Sequence, residues 1–271
     1  MRIRGCVSTD AGDGRDVCTD AAVLKVASSG RYGRIAFAVL CDGAPDAEGA
    51  GKASAMAAER MAEWFQEELP QILQEAETQE AEYGESFYRA RMLTEVLHAE
   101  DTRSAFMRRM FQRAQEQIRL RLQEICDELN TRINGYARLH HIRMGTSMTC
   151  LLLMGNEYLL MRVGAQRAVL MCDDSALADL PGVREEHGGF GEAEAVTPVF
   201  VRGMVSGHAR MLLYSDGFIR RQDPERLEKL FRKCLRFSER RMEDSLKKMT
   251  RFARRRGERG DAFAVFLSCI G

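Results

Sequence analysis

The sequence predicts an α+β fold with helices packed on antiparallel sheets. Three observations lead there. Apolar runs of strand length gather at the two ends of the chain and again in its middle, where short turns join them. Helical periodicity fills the stretch between the first two groups of strands and returns near the C-terminus. Strands therefore come in runs between helical blocks instead of alternating one by one with helices, which favours segregated helices on antiparallel sheets over a parallel α/β sheet.

The elements follow in order. Arg2–Ser8 is a short mixed strand, and the Gly- and Asp-rich stretch 10–20 is a loop. Ala21–Ala27 is a second strand and Ser28-Ser29-Gly30 a turn. Ile35–Cys41 is an unbroken apolar run and so a core strand, ending in Asp42-Gly43 and a polar loop. From about Lys52 the residues Met56, Met61, Trp64, Phe65 and Leu69 mark the apolar face of a helix, and Pro70 marks a break or restart. Gln71–Glu100 is acidic and reads as a helical, partly exposed excursion, with a solvated face over 74–85. A long helix spans about Asp101–Gly135: Ile118, Leu122, Ile125, Leu129 and Ile133 form a core stripe, and Arg119, Arg121 and Glu124 face away from it.

At Met144 the period changes. Ser147–Leu153 and Glu157–Val163 are strands joined through Gly155-Asn156, a hairpin signal. Ala168–Cys172 extends them into an expected three-stranded meander. Residues 174–208 are loop with short strands, and Ala209–Tyr214 is a core strand ending in Ser215-Asp216-Gly217. Pro224–Arg256 is helical, and its arginine-rich end, Arg251 to Arg259, reads as a solvated helix terminus. Asp261 stands directly before a last strand, Ala262–Ile270. No linker or repeat divides the chain, so one domain over 1–271 is expected.

Composition narrows the function classes. Lys plus Arg is 40 and Asp plus Glu is 40, a balance that argues against a nucleic-acid partner. No apolar run reaches the length of a membrane span, and the first residues lack the apolar core of a signal peptide, so no membrane partner is expected. The 8 cysteines form no C-x-x-C pair, and several sit inside apolar runs. Buried thiols in a reducing cytoplasm are the expectation, ahead of zinc ligands or disulfides. The 15 methionines read as core filler.

The chemistry lies in the carboxylates. Asp42 and Asp216 each follow a core strand and precede a glycine, Asp261 opens a strand, and Asp20 stands just before one. If these strands are neighbours, the carboxylates meet at one rim. Their repulsion is relieved most simply by a hard divalent cation with oxygen ligands. Two such ions can activate water and clamp an in-line phosphoryl displacement. Four unrelated turn aspartates are the alternative reading of spacing alone.

In order and spacing, TDAGDGRDVCTDAAVL, FAVLCDG, GTSMTCLLL, VGAQRAVLM, LLYSDGF and RGDAFAVFL resemble the motifs of the metal-dependent type 2C protein serine/threonine phosphatases, over nearly the whole chain. The resemblance implies a central antiparallel β-sandwich flanked by antiparallel helix pairs. It implies Mn2+ or Mg2+, two ions, with Asp42 bridging them, the Gly43 carbonyl on one, and Asp216 and Asp261 completing the other. It also implies that Asp20 orients the water and that Arg15 holds the substrate phosphate. The implied activity is hydrolysis of phosphoserine or phosphothreonine by attack of metal-bound water, in a cytoplasmic, bacterial-type protein. Its partners would be a phosphorylated protein and the serine/threonine kinase it opposes.

The chain also departs from the pattern. Thr19 stands where the family has Glu or Gln, which weakens the second ion. Ala44-Pro45-Asp46-Ala47 replaces a Gly-Gly-His-type loop, and Ala262 replaces an Asn. Ala165 replaces the Asp that helps hold a third ion where the family has one. A catalytically impaired relative that binds a phosphoprotein or partner is the competing expectation, followed by an unrelated α+β domain.

Overall fold

The computed structural model describes residues 2–12, 18–91, 99–164, 167–173, 175–180 and 188–270, with side chains outside 83–105. Its strands are β1 (Arg2–Asp10), β2 (Ala21–Ser29), β3 (Gly33–Gly43), β4 (Thr146–Met154), β5 (Glu157–Val163), β6 (Arg167–Cys172), β7 (Ala178–Asp179), β8 (Val199–Met204), β9 (Ala209–Tyr214) and β10 (Ala262–Ile270). Its helices are α1 (Ala50–Glu63), α2 (Leu69–Arg91), α3 (Ala99–His140), α4 (Asp216–Ile219), α5 (Pro224–Cys234) and α6 (Glu239–Arg255).

The strands form two five-stranded sheets, in the orders β1-β10-β9-β6-β7 and β2-β3-β4-β5-β8. Every pairing is antiparallel. The sheets share a core in which Ala36, Ala38 and Leu40 of β3 and Leu151 and Leu153 of β4 join Met211 and Leu213 of β9 and Val265 and Leu267 of β10. The alternate residues of the first sheet, including Leu212, Ala264 and Phe266, pack with Phe218, Leu230, Phe231, Met242 and Leu246 of the C-terminal helices. β3 is thus covered along its whole apolar run, Ile35–Cys41, and a strand buried on both faces has no polar alternation to show.

The expected three-stranded meander breaks after its second strand. β4 and β5 pair as foreseen, with Met154 opposite Glu157 and Gly155 at positive φ in the turn. β6 leaves for the other sheet, where it lies between β9 and β7. Both sheets have two buried faces here, so the apolar pattern of β6 is the same whichever sheet it joins. β8, from within the Gly-, Glu- and Pro-rich stretch, takes the place beside β5.

The C-terminal helical region is two helices. Asp223 caps α5 by accepting the Glu225 N–H, with Pro224 at its start, and Ser238 caps α6 by accepting the Arg241 N–H. α3 begins at Ala99 and runs on to His140, past the expected end at Gly135.

Residues Ala62–Ile125 form one compact unit, and residues up to Met61 with those from Cys126 onward form another. In the first, the helix widens into a π turn at Trp64–Glu68, closed by the Leu69 N–H on the Trp64 carbonyl. Pro70, which has no N–H to offer, follows directly, so the expected break is a local change of helical period. Arg121 pairs with Glu68 at 2.6 Å. Glu80 lies in the stretch expected to be solvated, yet its side chain is 1% exposed and is held by Arg109 and Arg113.

In the sheet-bearing unit, α4 and β10 approach so closely at Gly217 that a β-carbon there would run into the Asp261 carbonyl. Gly217→Ala is expected to destabilise the protein by about 1–3 kcal/mol or more, since backbone must move. A lowered urea midpoint with an unchanged slope checks this.

Candidate active site

Register brings the first two carboxylates together. β2 and β3 pair Ala21 with Cys41, and one step beyond that pair lie Asp20 and Asp42. The other sheet supplies the second pair at the same end. Past Tyr214 and Ala264, the Ser215 N–H bonds the Phe263 carbonyl at 3.0 Å, and the Phe263 N–H bonds Ser215 Oγ at 2.9 Å. Asp216 and Asp261 flank that link.

Asp20 is 8% exposed. Its Oδ1 accepts the Gly43 N–H at 3.2 Å, while its Oδ2 is buried with no N–H or O–H donor. Its carboxyl is held well above the ordinary carboxylate range, first by burial and then by the charge of Asp42. Asp42 is raised too, by burial and by Asp216 and Asp261, although Asp20 and the Asp216 N–H stabilise its charge. The two carboxyls titrate together, and burial with their mutual repulsion favours keeping a proton on the pair. Burial, above all, pushes the neighbouring Cys18 thiol up to about 12 and keeps Cys41 protonated as well. Both thiols are therefore poor nucleophiles.

Asp261 is held differently. Its Oδ1 accepts the Gly12 N–H at 2.6 Å, and its Oδ2 accepts the Thr19 N–H at 2.8 Å and the Thr19 hydroxyl at 2.6 Å. Arg254 fixes the surrounding loops. It donates to Asp10 Oδ1 at 2.6 Å, to the Gly260 carbonyl at 2.6 Å and to the Ala11 carbonyl at 3.0 Å. Arg254 is thus an inward clamp, a correction to the solvated helix end read from the arginine cluster. Thr146, buried on β4, donates from Oγ1 to the Asp42 carbonyl at 3.0 Å and contacts Ser54 Oγ at 2.9 Å.

Asp216 is open. Its side chain is 63% exposed, with Arg220 at 3.5 Å. With Asp42 and Gly43 it lines a cleft of about 220 Å3 whose far wall includes Ser147, Gly189 and Glu192. Among the described residues no three His, Cys, Asp or Glu side chains are gathered into a cage for a metal ion. Asp42 and Asp216 on an open cleft, with the orphaned Asp20 Oδ2 behind Asp42, instead fit a Mg2+-like ion, which takes one or two carboxylates and keeps its waters. Arg15 and Ala165 lie outside the described residues.

The latch by Thr19 and the clamp by Arg254 escaped the sequence reading. Thr19 was visible there only as a missing Glu, and nothing in the sequence pairs Arg254 with Asp10.

No protein-family model and no curated protein matches the chain. Solved structures do. The chain is similar to the serine/threonine phosphatase Stp1 from Staphylococcus aureus, at 15% identity and a TM-score of 0.67, covering 100% of this chain and 96% of that one. It is similar to the catalytic domain of the serine/threonine protein phosphatase PstP, solved with 2 manganese ions, at 16% identity and a TM-score of 0.60, with 99% of each chain covered. It is also similar to RsbX, solved with magnesium, at 12% identity and a TM-score of 0.60, covering 98% and 94%. The fold is that of the bacterial type 2C serine/threonine phosphatases, two antiparallel sheets with helices, as the motifs led one to expect.

The buried pair sets a pH dependence for the metal-free protein. Above the ordinary carboxylate range the unfolded chain has released the Asp20 proton and the folded chain keeps it, so stability falls as pH rises toward the raised value. The expected contribution is up to about 1.4 kcal/mol per pH unit. Thermal melts in EDTA between pH 5 and 8 should show this slope, and Asp20→Asn should flatten it and stabilise the protein most at pH 8.

Proposed function

We propose that the protein is a phosphomonoesterase that removes phosphate from phosphoserine or phosphothreonine in a protein substrate, using Mn2+ or Mg2+. The observation that carries this reading is the meeting of Asp42 and Asp216, from different sheets, on one open cleft in a fold shared with serine/threonine phosphatases. Asp42, Asp216 and the Gly43 carbonyl would hold the cation. A divalent cation there lowers the pKa of water and offsets phosphate charge.

The chain's own groups do the rest. The Asp216 N–H and Asp20 fix the Asp42 carboxylate, and Thr146 fixes the Asp42 carbonyl, so this strand end does not rotate away. Asp20 would orient the attacking water and, with the cation offsetting the charge at Asp42, act as the carboxylate that takes a proton from that water. A new P–O bond forms to the water oxygen as the bond to the seryl or threonyl oxygen breaks, and that oxygen takes up the equivalent of the proton the water gave up. Arg15 is the group proposed to grip the phosphate with its planar fork. A cytoplasmic serine/threonine kinase would supply the substrate.

One observation favours a second reading, a phosphoprotein-binding module without turnover: both carboxylate oxygens of Asp261 accept hydrogen bonds, from Gly12 and Thr19. Hydrolysis of a phosphothreonine peptide with Mn2+, Mg2+ or EDTA separates the two. Turnover that needs the metal and falls on the order of 100-fold or more in Asp42→Asn and Asp216→Asn is expected. Metal and peptide binding without turnover above those variants would favour the second reading.

A further inference from the structure

We infer that this site works with a single divalent cation held by Asp42 and Asp216, that Asp261 is tied to Gly12 and Thr19 and is not one of its ligands, and that Thr19 offers no carboxylate for a second ion. The inference rests on the proposed phosphatase reading and says how many ions that site takes. Asp261 offers both carboxylate oxygens to protein donors, two of them on Oδ2 from one residue, at 2.6 and 2.8 Å. Hydrogen bonds from backbone N–H and hydroxyl groups to a carboxylate are charge-assisted, and three of them occupy most of the roughly four lone-pair positions and offset the charge that would attract a cation. To bind an ion through Oδ2, Asp261 would have to give up a bond from Thr19, and through Oδ1 it would have to share the oxygen with the Gly12 N–H.

The chain around Asp261 is not free to yield. Arg254 bonds Asp10, Ala11 and Gly260, the segments that carry Gly12 and Asp261. The buried Glu258 carboxylate accepts the N–H groups of Arg259 and Gly260, so the approach to β10 is tied on both sides. Donor and acceptor are both held, and a threonine is long enough to reach Oδ2 but carries no carboxylate for an ion.

The other half of the site points the opposite way. Asp20 is more than nine-tenths buried, and its Oδ2 has no N–H or O–H donor. It faces Asp42, whose carboxylate opens with Asp216 on the cleft. Asp42 and Asp216 line the open cleft, whereas Asp261 turns three of its coordination positions to protein donors. Positive charge is wanted at Asp42 and Asp216 and already replaced at Asp261. Asp261 is then a positioning residue, which ties the loop before β2 to the start of β10, and not a metal ligand.

Titration of the metal-free full chain with MnCl2, followed by calorimetry and by electron paramagnetic resonance, tests this without any substrate. One Mn2+ per chain is expected, with no spin-coupled pair. Asp216→Asn should weaken it on the order of 10–100-fold. Asp261→Asn should leave the affinity unchanged while lowering the melting temperature, and Thr19→Val, which keeps the N–H, should do the same more mildly. Thr19→Glu should add a second, weaker Mn2+ and a spin-coupled signal. Two Mn2+ per wild-type chain, or a Mn2+ affinity that falls in Asp261→Asn as it does in Asp216→Asn, would overturn this inference and leave the phosphatase reading standing. No Mn2+ bound by a folded wild-type chain would overturn the metal-dependent reading itself.

Discussion

Like charge at the shared end of two sheets is the constraint on which the rest of the site depends. β3 runs through the core and delivers Asp42 at its rim, beside Asp20 from β2, where burial raises both carboxyls. The other sheet brings Asp216 and Asp261 to the same end. A fold that gathers four carboxylates, with Arg220 beside the exposed Asp216, must hold the buried ones some other way. Here it uses burial that favours the protonated form of the Asp20–Asp42 pair, neutral donors at Asp261, and exposure to solvent with Arg220 at Asp216.

The scaffold absorbs much of the strain that such a cluster creates. Arg254 contributes the strongest single tie, because its guanidinium reaches one carboxylate and carbonyls on two loops at once. Thr146 anchors the Asp42 backbone from the neighbouring strand. Gly217 lets α4 start against the Asp261 carbonyl. Each of these residues helps to set where a reacting group can stand, which is how a rigid sheet makes a precise site.

Much of this was legible in the sequence. The apolar runs gave nearly every long strand within a residue or two, because period and turn chemistry are local. The four aspartates stood out because an acid at the end of a core run is out of place unless the rim uses it. What stayed hidden was non-local. The move of β6 to the other sheet left no mark, since its neighbours are apolar on both faces in either place. The division of the last helical region at Ser238 was local but lay inside a continuous amphipathic pattern. Glu80 read as solvated because its partners, Arg109 and Arg113, come from the next helix. Thr19 is the most instructive case: by sequence it is a lost ligand, and in the fold it is a gained latch.

The central claim is that charge at this rim is divided, with a cation wanted at Asp42 and Asp216 and protein donors sufficient at Asp261. Anomalous diffraction from a crystal grown with Mn2+ tests it most directly. The account predicts one manganese peak, between the Asp42 and Asp216 carboxylates, with the Thr19 hydroxyl still on Asp261. A peak within bonding distance of Asp261, with Thr19 turned away, would contradict it.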